Sequence, residues 1–127
     1  MRRPVLLATI SLLAMSVAGQ AFAEDVNLWV RTSSAAVVQG LADKFNADHE
    51  DKVIVTPITA EQMVMKLGAS IAAGAPPDAV VMDLIYLPTF AATDSLEDIT
   101  SFIDGLPYAD SLSPSHMRLG TFDGKKY

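Results

Sequence analysis

Seven side chains carry chemistry that would work together if folding gathered them. Trp29, Arg31, Thr32 and Ser33 lie in one stretch, Thr56 in a second, and Asp83 with Tyr86 in a third. A carboxylate accepts from hydroxyls, guanidinium and hydroxyl groups donate, and an aromatic ring covers the C–H face of a pyranose, so the set suits a polyhydroxylated ligand. Arg31 alone also matches a phosphate or a uronate carboxylate, because its planar fork fits both. Each residue has a plainer role open to it. Trp29 sits inside an apolar run, where core packing outweighs ligand stacking. Arg31 can pair with a surface acid, Asp83 can cap a turn, Tyr86 can pack half-buried, and Thr56 can simply occupy a strand end.

Other chemistries are poorly served. His49 and His116 are the only histidines, lie far apart and have no acid at metal-ligand spacing, so no metal site is expected. Ser113-Pro114-Ser115-His116 supplies a nucleophile and a base, but on a proline-containing loop with no acid to orient the imidazole. The glycines form no phosphate-cradling loop, and Met63 and Met65 fit packing and surface positions. No catalytic residue and no cofactor is expected.

The elements that would position the seven are readable from periodicity. Val26–Val30, Val53–Val55 and Ala79–Met82 are short apolar runs of the kind found in strands covered on both faces. Between the first two, Val37, Val38, Leu41 and Phe45 recur at helical spacing, with Ser33 or Ser34 as cap and an end between Asn46 and His49. Between the second and third, Thr59-Ala60-Glu61-Gln62 has capping-box form and leads into Met63, Leu67 and Ile71 on one face, stopped by Gly74 and Pro76. The order β-α-β-α-β predicts an α/β fold with an open, mostly parallel sheet. In such sheets ligands bind outside the carboxyl ends of the strands, where these polar residues, with Thr59, fall. Downstream, Tyr86 to Ala92 and Asp98 to Ile103 are predicted as helical turns, Leu106-Pro107 as a break, and Asp123-Gly124 as a tight turn.

Residues 1–23 have the three parts of a secretory signal: Arg2 and Arg3, an apolar run from Val5 to Val17, and Ala21-Phe22-Ala23 before Glu24. The run is shorter than the roughly 20 residues of a membrane span, so a cleaved leader and a mature chain not embedded in membrane are expected. The absence of cysteine excludes a lipidated N-terminus, a disulfide framework and a thiolate metal site. A periplasmic address follows as the expectation. Cleavage removes two of nine basic residues and none of fifteen acids, moving the formal charge from −6 to −8. Nucleic acid and anionic lipid are unfavourable partners for such a chain. The remaining 104 residues allow one small domain, 24–127.

The ordered features resemble the N-terminal lobe of family 1 extracellular solute-binding proteins, the binding components of sugar-type ABC importers. The resemblance covers most of residues 25–127. It rests on Val26-Asn27-Leu28-Trp29, on Leu41 to His49, on Lys52-Val53-Ile54-Val55, and above all on Leu67 to Val80, where a small-residue helix runs through Gly74 and Pro77-Asp78 into a strand. Leu87 to Ala92, Leu96-Glu97-Asp98-Ile99 and Asp123-Gly124-Lys125-Lys126-Tyr127 continue it; Thr93-Asp94 departs, standing where the family commonly has a glycine.

The resemblance implies a type II-like, two-lobed periplasmic binding protein of which this chain is part of the first lobe, truncated before the second. The ligand would be a sugar, sugar alcohol or glycerol phosphate held in a cleft that a hinge closes, and the closed form would dock on a membrane permease working with its ATPase. Cleft contacts carried over fall on Arg31, Thr32, Ser33, Thr56 and Asp83 to Tyr86. The family's sheet receives a strand from chain returning after the second lobe, so an unpaired apolar edge is expected here. Two other classes stay open: a periplasmic α/β enzyme of hydrolase type, and an interaction domain that pairs through its free sheet edge.

Overall fold

The structure is a computed structural model that describes residues 24–127; the signal sequence expected at residues 1–23 lies outside the described residues. Strand β1 (Val26–Arg31) is followed by a 3-10 turn (Thr32–Ser34) and helix α1 (Ala35–Asp48). Strand β2 (Val53–Ile58) and helix α2 (Ala60–Ala72) lead to strand β3 (Ala79–Val81), a second 3-10 turn (Leu84–Tyr86) and helix α3 (Leu87–Ala91). Helix α4 (Thr100–Asp104), a 3-10 turn (Ala109–Ser111), helix α5 (Pro114–Leu119) and a hairpin of β4 (Thr121–Phe122) and β5 (Lys125–Lys126) complete the chain.

The first three strands form a parallel sheet in the order β2-β1-β3, with Trp29 opposite Thr56 on one side and Val80 on the other. The two crossovers run in opposite directions from the sheet's point of view, so the right-handed rule puts α1 and α2 on opposite faces. Side-chain packing agrees: α1 meets Leu28 and Val53, while Leu67 and Ile71 of α2 meet Val80. The core is Val30, Ile58, Met63, Leu67, Leu87, Phe90 and two alanines, with Val30 and Met63 almost entirely enclosed. Val30 is central because β1 has a partner strand on each edge.

Three details depart from the sequence expectations. Strand β2 continues three residues past Val55 and includes Pro57. Proline survives there because β2 is an edge strand, where a missing N–H can face outward without breaking the ladder. Ser34 and Thr59 stand at the N-caps of α1 and α2, yet neither side chain makes the capping bond. At α2 the backbone carbonyl of Thr59 accepts from Gln62 and Met63 instead, at 3.1 and 3.0 Å. Finally, Val37, Leu41 and Phe45 share the helical period of a buried face, but they are exposed, and Ala42 is the buried residue of α1. The helix lies over the β2 edge of a three-stranded sheet, so its outer apolar flank overhangs.

Two helices end in the same way. At α2, Gly74 donates to Ile71 (3.0 Å) and Ala75 donates to Ser70 (2.9 Å), the paired bonds of a Schellman motif, with Gly74 at φ +71°. At α3, Asp94 donates to Ala91 (3.1 Å) and Ser95 to Phe90 (3.0 Å), with Asp94 at φ +51°. Asp94 therefore holds the left-handed position that glycine holds in α2. The departure at Thr93-Asp94 changes the residue without changing the motif, and the Thr93 hydroxyl adds a bond to the Phe90 carbonyl.

Candidate functional site

The loops at the carboxyl ends of β1 and β3 share one local pattern: an extended residue leads into a single 3-10 turn and then an α-helix. Arg31 (φ −61°, ψ 138°) and Asp83 (φ −70°, ψ 128°) are those extended residues. Because β1 and β3 are neighbours and parallel, the two junctions lie side by side, and Arg31 Nη1 donates to Asp83 Oδ1 in an ion pair. The pair is reachable, since the side chains keep 29% and 41% of their exposure. The inner nitrogen of the guanidinium, Nε, is shielded and has no partner among the described residues.

Thr32 and Ser33 are exposed in the turn that follows Arg31, and Tyr86 is half-buried in the turn that follows Asp83, its N–H bonded to the Asp83 carbonyl at 3.1 Å. These five residues share one rim. Thr56 does not reach it. The longer β2 places Thr56 in the strand interior opposite Trp29, two residues short of the end, while Ile58 stands opposite Arg31. Thr59, exposed one residue beyond Ile58, is the hydroxyl that β2 delivers to the rim. Trp29 is half-buried in the central strand on the same face as Arg31, one pleat below it. Sequence reasoning passed over Ile85, which is 74% exposed in the turn between Asp83 and Tyr86 and gives the rim an apolar lip. An apolar residue flanked by polar strand-end residues was the available signal.

Elsewhere, His116 Nδ1 lies 2.9 Å from the Ser113 hydroxyl, which also meets Ser115 at 3.1 Å. Ser113 precedes the first turn of α5, and all three residues are exposed. The described residues contain no group of three or more His, Asp or Glu side chains placed to hold a metal ion. No helix of the described residues is long and apolar enough to cross a membrane.

A three-stranded parallel sheet with polar residues gathered at its carboxyl ends puts the candidate site where open α/β sheets bind ligands. The profile described as bacterial extracellular solute-binding protein matches residues 40–127. The chain belongs to that family. Solved structures share the fold: an ABC transporter solute-binding protein from Thermotoga lettingae bound with α-D-tagatose has a TM-score of 0.75 at 20% identity, over 83% of this chain and 28% of that one. The sugar-binding protein MalE from Xanthomonas citri has a TM-score of 0.74 at 26% identity, over 81% and 27%. A binding protein of an ABC transporter from B. animalis subsp. lactis, in complex with β-1,6-galactobiose, has 0.73 at 24%, over 83% and 25%. The chain thus spans about a quarter of the length of the solved structures it matches. No curated protein matches its sequence.

Proposed function

We propose that this lobe is the first wall of the ligand cleft in the periplasmic binding component of an ABC importer, and that its ligand is a carbohydrate or a close relative of one. The observation that carries the proposal is the Arg31–Asp83 pair, a donor and an acceptor fixed side by side on the carboxyl rim of a parallel sheet and left open to solvent. Thr32, Ser33 and Tyr86 flank it, with Thr56 and Trp29 behind it in the strands. Such a rim offers hydroxyls both donors and an acceptor, and Ile85 and Tyr86 add apolar surface for C–H faces. The tagatose and galactobiose complexes of the structural relatives support the same ligand class.

Export by residues 1–23, closure of a second lobe over the ligand, and docking on a permease with its ATPase complete the proposal. Family membership points to a binding role over catalysis, and among the described residues no carboxylate hydrogen-bonds to the imidazole of the exposed Ser113–His116 contact. Thermal-shift screening of the full gene product against neutral sugars and sugar alcohols is the test. A ligand that raises the melting temperature in wild type and not in Arg31→Ala is expected; no shift with any carbohydrate would sink the proposal.

A further inference from the structure

The ion pair on the rim says more about the ligand than its residue types do. Arg31 and Asp83 are paired before any ligand arrives, so their charges offset each other at the centre of the rim. The chain from residue 24 onward carries an excess of acids over bases. An anion reaching Arg31 would either displace Asp83 and leave it unpaired or sit against its carboxylate charge. A cation seeking Asp83 would strand Arg31 in the same way. A hydroxyl needs no displacement, because it can accept from the guanidinium and donate to the carboxylate at once.

Resting on the carbohydrate-binding proposal above, we infer that the Arg31–Asp83 pair is a charge filter, restricting the ligand to neutral polyols and excluding phosphorylated sugars, uronates and amino sugars. The pair joins residues 52 positions apart on two strands, so it also holds the two strand-turn junctions at a fixed separation. Opening it for a charged ligand therefore disturbs both turns. A neutral ligand leaves them in place.

The filter can be tested without knowing the sugar. In the full chain at low salt, inorganic phosphate should perturb the NMR amide signals of Thr32 and Ser33 about tenfold more strongly in Asp83→Asn than in wild type, because the substitution frees Arg31. Arg31→Gln should show the mirror effect with methylammonium, about tenfold tighter than wild type near Asp83, and serves if Asp83→Asn does not fold. Neither variant gaining its ion would overturn the inference whatever sugars do. In the full gene product, methyl glucoside should bind at least about tenfold tighter than glucuronate or glucose 6-phosphate, with the order reversed in Asp83→Asn. Wild type preferring a charged sugar would also overturn it. If the ions behave as expected while no sugar binds wild type, the filter stands and the carbohydrate proposal fails.

Discussion

The region from Val26 to Asp83 and the region from Leu84 to Tyr127 are held together on different scales. The first is a three-stranded ladder with a helix on each face, and its enclosed residues, Val30, Ala42, Ile58, Met63 and Leu67, come from two strands and two helices. Polar side chains there work as splints for the ladder. Asn46 brackets Val53, accepting its N–H at 2.7 Å and donating to its carbonyl at 3.0 Å, while the Asp78 carboxylate takes the Asn27 N–H at 2.7 Å. The second region has helices of five or six residues and a two-residue hairpin. Thr100 is its knot. Its N–H and hydroxyl both donate to Asp98, its hydroxyl oxygen accepts from the Lys126 N–H, and Lys126 Nζ pairs with Asp104. Where burial is extensive, polar bonds position an element; where it is not, they define it.

That difference predicts how each region breaks. Met63→Ala, in the well-packed region, should cost about 2–4 kcal/mol and lower the urea midpoint of the whole chain. Loss of only the Leu84–Tyr127 amides from exchange protection would instead show that the regions are not ordered as described. Thr100→Val should cost about 1–2 kcal/mol, since the Lys126 N–H loses its acceptor and Asp98 loses the hydroxyl donor while keeping the backbone one, and the effect should concentrate in faster exchange at Lys126 and Tyr127. Equal acceleration in β1 would contradict a local knot. Asp94→Gly should stabilise by about 0.5 kcal/mol, because glycine adopts the left-handed position more readily. The same substitution logic at Gly74 runs in reverse, so Gly74→Ala should destabilise.

The smallest expected effect concerns acid. The Thr100 hydroxyl, then its N–H and the nearby Lys125 charge, hold the Asp98 carboxyl below its ordinary value of 3.8. A depressed pKa in the folded state means the contribution is present above the unfolded value and fades as pH falls through the folded one. Thr100→Val should return the Asp98 titration, followed by carbon-13 NMR, toward 3.8.

How much of this was legible in the sequence follows the same division. Strand runs, helix order and the Asp123-Gly124 turn were readable because each is a local pattern; the turn has both residues at positive φ, as a tight hairpin requires. The apolar run Val53–Val55 is three residues shorter than β2, which continues through Pro57 because its strand is an edge, a tertiary fact. Thr56 was consequently placed at the rim when it lies below it. Arg31 and Asp83 were both named from sequence, but their pairing was not, since it requires knowing that β1 and β3 are neighbours. The bonds of Thr100 to Lys126 had no sequence signal, as nothing periodic links residues 26 apart.

Pro57 has a last consequence, best put in the language of polymers. A sheet with two open edges is a bifunctional monomer and can extend into a fibre. Here the β2 edge presents a ring and one fewer N–H, whereas the β3 edge borders an apolar hollow lined by Val80, Val81, Leu87 and Tyr127. Strand addition at the β2 edge meets Pro57, so pairing by this sheet would favour the β3 edge.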